Sequence, residues 1–165
     1  MTTPPAPLPA PTAERVGPFT ASKELADNLQ SMLVDLLVLQ LQAKQAHWTV
    51  VGRGFRSVHL QLDEIADAAR KHSDVVAERM RAIHTVPDGR GGTIVKNTTL
   101  QPYPLGEIPV DQTIDLIGTR LTAVTTTGRR VHDSVEAEDP SSADELNTIV
   151  TDLERLNWML QAEGR

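Results

Sequence analysis

Two long amphipathic runs, a breaker-rich stretch, and two more amphipathic runs set the plan of this chain, and few folds accept that order. From Leu25, the apolar positions Leu29, Met32, Leu33, Leu36, Leu37 and Ala43 recur at three- and four-residue spacing to about residue 50. That is the period of a helix burying one face, with Thr20 or Ser22 placed to cap it. Val51-Gly52-Arg53-Gly54 breaks the pattern, and a second helix is expected over residues 55–84, with Val58, Leu62, Ile65, Ala69, Val76 and Met80 as its stripe. Residues 86–110 carry four prolines and four glycines, too many for a long helix. Further helices are expected over 110–138 and 140–163. Asp139 is placed to cap the last of them, Pro140 suits its first position, and Ser142 with Glu145 has capping-box spacing. Short loops within pairs and one long link between pairs return a bundle's chain to its starting end. The expectation is an all-α four-helix bundle with one long crossover between the second and third long helices.

Composition narrows this further. Only Phe19, Trp48, Phe55, Tyr103 and Trp158 are aromatic, so the core must use Leu, Ile, Val and Ala, which argues against an all-β fold. A length of 165 residues suits one domain, expected over residues 19–165. Residues 1–18 hold six of the eleven prolines and almost no charge, and a disordered tail is expected there. The absence of cysteine excludes disulfides, thiolate nucleophiles and Fe–S clusters, so metal chemistry would need histidine and carboxylate. No apolar run approaches a membrane span of roughly 20 residues, and the N-terminus lacks signal-peptide order, so a cytoplasmic location is expected. A net charge of −6 argues against a nucleic-acid footprint over the whole surface.

The second helix carries the chemistry. At about 100° per residue, His59, Asp63, Asp67, Asp74 and Glu78 fall within roughly one 100° arc, and His47 lies one loop away near the end of the first helix. Taken singly, each acid could belong to a solvated face paired with Arg70, Lys71, Arg79 and Arg81. Taken together, they interleave with Val58, Leu62 and Val75, which is unlike a simple charge run. At 1.5 Å per residue Asp63 and Asp74 are about 16 Å apart, whereas metal–ligand bonds are about 2 Å. One chain therefore cannot close a site from both ends of this stripe. Two copies of the helix packed antiparallel about a two-fold axis can, and they would form two identical sites.

At these residues the chain resembles the Dps proteins (DNA-binding proteins from starved cells), the mini-ferritins. The likeness is carried by Gln45-Ala46-His47-Trp48-Thr49-Val50-Val51-Gly52, Phe55, Val58-His59, Leu62-Asp63 and Asp74-x-x-x-Glu78-Arg79. It extends over about residues 20–163, including Trp158 and the stretch from Glu138 to Asp144. The resemblance implies a ferritin-like bundle assembled as a hollow homododecamer. It implies ferroxidase centres at two-fold interfaces, with His47, His59 and Asp63 from one subunit and Asp74 and Glu78 from its partner. Fe(II) would be oxidised to Fe(III), preferably by hydrogen peroxide, and stored. Imidazole with carboxylate suits Fe(II) and leaves coordination positions open. By the same resemblance Trp48 sits near the iron to take up stray oxidising equivalents, and Asp139 and Asp144 line a three-fold pore that draws Fe(II) inward. Asp133 to Glu154 holds eight acidic residues and no lysine or arginine.

Other residues are left outside the site. Asp67 is expected to be solvated, His72 to point away from His59, His84 to end the second helix, and His132 to lie on an exposed face. A classical ferritin would need paired Glu-x-x-His motifs within one subunit, and none occurs. The alternative from another class is a non-enzymatic nucleoid protein that binds DNA. In the family lysines of a mobile tail often serve that purpose, but residues 1–22 contain Arg15 and no lysine. DNA binding is therefore expected to be weak or absent unless groups such as Arg53 and Arg56 dominate locally.

Overall fold

The apolar stripe of the first run drives the first element. In the computed structural model, which describes residues 18–164, helix α1 spans Lys23–Thr49 and buries Leu25, Leu29, Met32, Leu33, Leu36 and Ala43. Ser22 caps it, its Oγ accepting from the Leu25 N–H at 3.1 Å. The tail expected over residues 1–18 lies, apart from Pro18, outside the described residues. A two-residue strand β1 (Val50–Val51) and the Gly52–Gly54 turn lead into α2 (Phe55–Ala82). The crossover holds a short helix α3 (Gly91–Asn97) and strand β2 (Ile108–Pro109) before α4 (Val110–Glu138) and α5 (Pro140–Glu163).

The four long helices form a ring in which α1 packs on α2 and α4, and α5 packs on α4 and α2. The chain is an all-α four-helix bundle with one long crossover. Its core is aliphatic, with Leu36, Leu39, Leu62, Ile65, Ile117, Leu121 and Leu146 all at most 1% exposed. Close approach of α5 to α4 depends on Gly128, where a Cβ would stand 2.8 Å from Val150 Cγ2. Among the described residues no helix is long and apolar enough to cross a membrane.

The crossover, too broken for a long helix, has short regular pieces of its own. Besides α3, its end pairs in parallel with the α1–α2 loop, Val50 with Ile108 and Val51 with Pro109, which gives extended backbone groups partners where α1 ends and α4 begins. Helix α2 stops at Ala82, two residues early, because His84 takes a left-handed turn with φ 63°. Helix α5 does start at Pro140, but the Asp139 side chain caps no N–H. Its carboxylate instead accepts from Arg79 Nη2 at 2.7 Å and from the Ser142 hydroxyl, since a guanidinium is the stronger partner. Ser142 also accepts from Arg79 Nε at 3.0 Å and is buried, so the Ser142–Glu145 capping box does not form. His132 is not on an open face. Its ring is half-buried between α4 and α5, with Nε2 closed off from solvent.

Candidate metal centre

His47 occupies the last turn of α1 and His59 the second turn of α2, and the tight Gly52–Gly54 turn folds one against the other. The two rings stack with centroids 3.7 Å apart and planes 20° from parallel. Each Nδ1 lies 2.8 Å from the other residue's backbone carbonyl oxygen. A carbonyl can only accept, so both Nδ1 atoms are donors, and the lone pair of each ring in its neutral form lies on Nε2. The His47 carbonyl is free for this because it belongs to the last turn of a helix, where carbonyls lack intrahelical partners. Fixing the tautomer by the second nitrogen is how metal-binding imidazoles are oriented. Phe55 leans on His59 with ring centres 5.3 Å apart.

Asp63 lies one turn beyond His59 and forms an ion pair with Lys44 of α1. The hydrogen bond from Lys44 holds its carboxyl below the usual range, against the opposing effect of burial and with help from the Lys44 charge. Lys44 was not anticipated. Its position one turn before His47 was the available signal, since a lysine there shares the histidine's side of the helix.

Asp74 and Glu78 are exposed on the same helix, and among the described residues neither takes part in an ion pair. Helix α2 runs unbroken through both ends of the stripe, so the separation of about 16 Å holds. Among the described residues no group of three or more histidines and carboxylates is close enough to hold a metal within one chain. The structure therefore joins His47 with His59, places Asp63 beside them, and leaves Asp74 and Glu78 apart.

The surroundings separate the remaining candidates. Trp48 is 69% exposed, so its indole fills no core position, and Leu41 at 62% shares its face of α1 two turns earlier. Asp67 is solvated, 3.8 Å from Arg70. His72 is buried and turned toward α5, its Nε2 2.8 Å from Asp152 Oδ2. Of the acidic pair near the start of α5, Asp144 is exposed, while Asp139 is buried against Arg79.

Comparison with known proteins places this geometry in context. The Ferritin-like domain family matches residues 26–163. The fine tangled pili major subunit of Haemophilus ducreyi is 35% identical over 84% of this chain and 73% of that protein. DNA protection during starvation protein 2 of Deinococcus radiodurans is 34% identical over 85% of this chain, which spans only 58% of that longer relative. The crystal structure of Dps92 from Deinococcus radiodurans superposes with a TM-score of 0.82 at 32% identity, covering 85% of each chain.

Proposed function

From the premise that this chain belongs to the Dps family of ferritin-like proteins, we propose that it is an iron-storing mini-ferritin. It oxidises Fe(II) at sites shared between two copies and deposits Fe(III) inside a hollow homododecamer of about 216 kDa. The observation that carries this reading is the pre-set half-site: two stacked imidazoles with fixed tautomers beside Asp63, and two unpaired carboxylates about 16 Å further along the same helix. The exposed apolar side chains Leu41 and Trp48 beside it support burial against a second copy.

In this mechanism Fe(II) is the substrate. His47 and His59 offer Nε2 and Asp63 a carboxylate, and Asp74 and Glu78 of a second copy close the other side. Two Fe(II) ions give one electron each to hydrogen peroxide, the O–O bond breaks, and both oxygens leave at the hydroxide level, so no hydroxyl radical is released. The ligand charge favours Fe(III), and Lys44 neutralises Asp63 until the cation arrives. The exposed Trp48 indole, next to His47 in sequence, takes up stray oxidising equivalents. Asp144 attracts Fe(II) toward a three-fold pore, whereas Asp139, buried and paired with Arg79, adds little net charge there. We place the protein in the cytoplasm and assign it weak or no direct DNA binding.

Stopped-flow oxidation of Fe(II) by peroxide, combined with light scattering, tests the reading. The expected result is rapid oxidation by a particle of about 216 kDa and loss of the fast phase in His59→Ala. A monomer that oxidises Fe(II) as fast as the assembled protein would refute the shared site.

A further inference from the structure

Two buried charges in the bundle have no charged partner among the described residues, and both are spent on the crossover. Asp35 of α1 is 1% exposed. Its Oδ1 accepts from the Thr99 N–H at 2.8 Å and the Thr98 hydroxyl at 3.0 Å, and its Oδ2 from the hydroxyls of Thr99 at 2.7 Å and Thr127 at 2.8 Å. The Thr98 hydroxyl oxygen also accepts from the Leu100 N–H at 3.0 Å, so that amide too depends on Asp35. Arg120 of α4 is 4% exposed. Its Nη2 donates to the carbonyls of Gln101 at 3.0 Å and Pro102 at 2.8 Å, its Nη1 to the Leu116 carbonyl of its own helix at 2.7 Å and its Nε to Gln42, and its guanidinium lies 5.3 Å from the centre of the Tyr103 ring.

A buried charge without a counter-ion is costly unless dipoles surround it. The crossover supplies these with the correct polarity, donors to the carboxylate and carbonyls to the guanidinium. The spacing fits as well. Asp35 and Gln42 are two turns apart on α1, as are Arg120 and Thr127 on α4, about 10.5 Å each. Three residues of extended chain cover about the same distance. Among the described residues, 99–107 make no backbone-to-backbone hydrogen bond before the β1–β2 pairing. This stretch is thus fixed to the bundle mainly by side chains, the core residue Leu100 among them, and it covers both charges.

We propose that residues 98–103 form a strap with its own opening equilibrium, closed by Asp35 at one end and Arg120 at the other, and able to lift while the four long helices stay folded. Opening of such a unit has a free energy below that of global unfolding.

Amide hydrogen exchange on the full-length assembled protein, in increasing sub-denaturing urea, tests it. Thr99 and Leu100 should exchange with a weaker urea dependence than the α1 amides around Leu36, since opening exposes Leu100 but not the bundle core, and well ahead of those amides. Asp35→Asn should speed their exchange about tenfold, through replacement of charge-assisted hydrogen bonds by neutral ones. Arg120→Met should speed the same two amides although it touches neither, because the strap opens as one unit. Protection of α1 and α4 and the helical circular dichroism should be unchanged in both. The proposal is overturned if Thr99 and Leu100 exchange together with the bundle, if Arg120→Met leaves them unchanged, or if either variant loses helicity, since the charges would then hold the bundle itself.

Discussion

Co-assembling two inactive variants should restore about a quarter of the Fe(II)-oxidising sites, a value that follows from the two-fold arrangement alone. His59→Ala removes one imidazole and its hydrogen bond to the His47 carbonyl, and Glu78→Gln removes the charge of an exposed carboxylate at the far end of the stripe. Neither side chain belongs to the hydrophobic core, so both variants should keep their helices and assemble. Each alone should lose at least about tenfold in fast peroxide-driven oxidation, since even outer partners of metal ligands are worth that much. In a mixed dimer one of the two sites takes His59 from the Glu78→Gln copy and Glu78 from the His59→Ala copy, and is intact. The second site lacks both groups. Random pairing at equal amounts makes about half of the dimers mixed, hence about a quarter of all sites active. The assay is stopped-flow oxidation after denaturing and refolding the two proteins together, with mixed particles verified by native mass spectrometry. Activity that stays at the single-variant level in verified mixtures would refute sharing between copies.

Replacing Lys44 by Met should tighten Fe(II) binding up to about fivefold by calorimetry, because a half-exposed ion pair with Asp63 is worth only about 0.2–1 kcal/mol; weaker binding would make Lys44 an organiser of the site. Asp144→Asn should slow iron uptake at low Fe(II) without altering particle mass, and unchanged uptake would reduce that carboxylate to solubility. Asp139→Asn should cost about 1–3 kcal/mol at neutral pH by chemical denaturation, through the lost bond to Arg79. Burial raises the Asp139 pKa, but hydrogen bonds from Ser142 and Arg79 outweigh it, so the folded value lies below the unfolded one of about 3.9. Its contribution is full above that pH and lost as pH falls through the folded value. The variant should therefore show a flatter acid limb, and identical limbs would contradict the assignment. Gly128→Val should destabilise by about 1–3 kcal/mol by pushing Val150 and Met32 aside, and an unchanged melting temperature would show that α4 and α5 can part there.

Legibility in the sequence followed the range of the interactions. Helix stripes are repeats of local spacing, so Leu25 to Ala43 and Val58 to Met80 announced α1 and α2 within two residues of their observed ends. The cap was narrowed to Thr20 or Ser22 for the same reason, and the bond that Ser22 makes spans only three residues. The cap expected at Asp139 was not, because the competitor that took its carboxylate, Arg79, lies 60 residues away in sequence. His132 followed the same pattern, since its exposure depended on how α5 lies over α4.

For the candidate centre, the sequence by itself determined the types of the proposed ligands, their spacing, and the impossibility of one helix closing a metal site across about 16 Å, since a helix has a fixed rise per residue. Only the tertiary structure decided how His47 and His59 meet, which nitrogen each turns to a carbonyl, and that Lys44 pairs with Asp63. It alone revealed that Asp35 and Arg120 hold the crossover from opposite ends. The physical reason is that spacing along one helix is fixed by covalent geometry. Partnerships between helices depend instead on which buried charges and hydrogen-bonding groups are brought together when the four stripes close on one core.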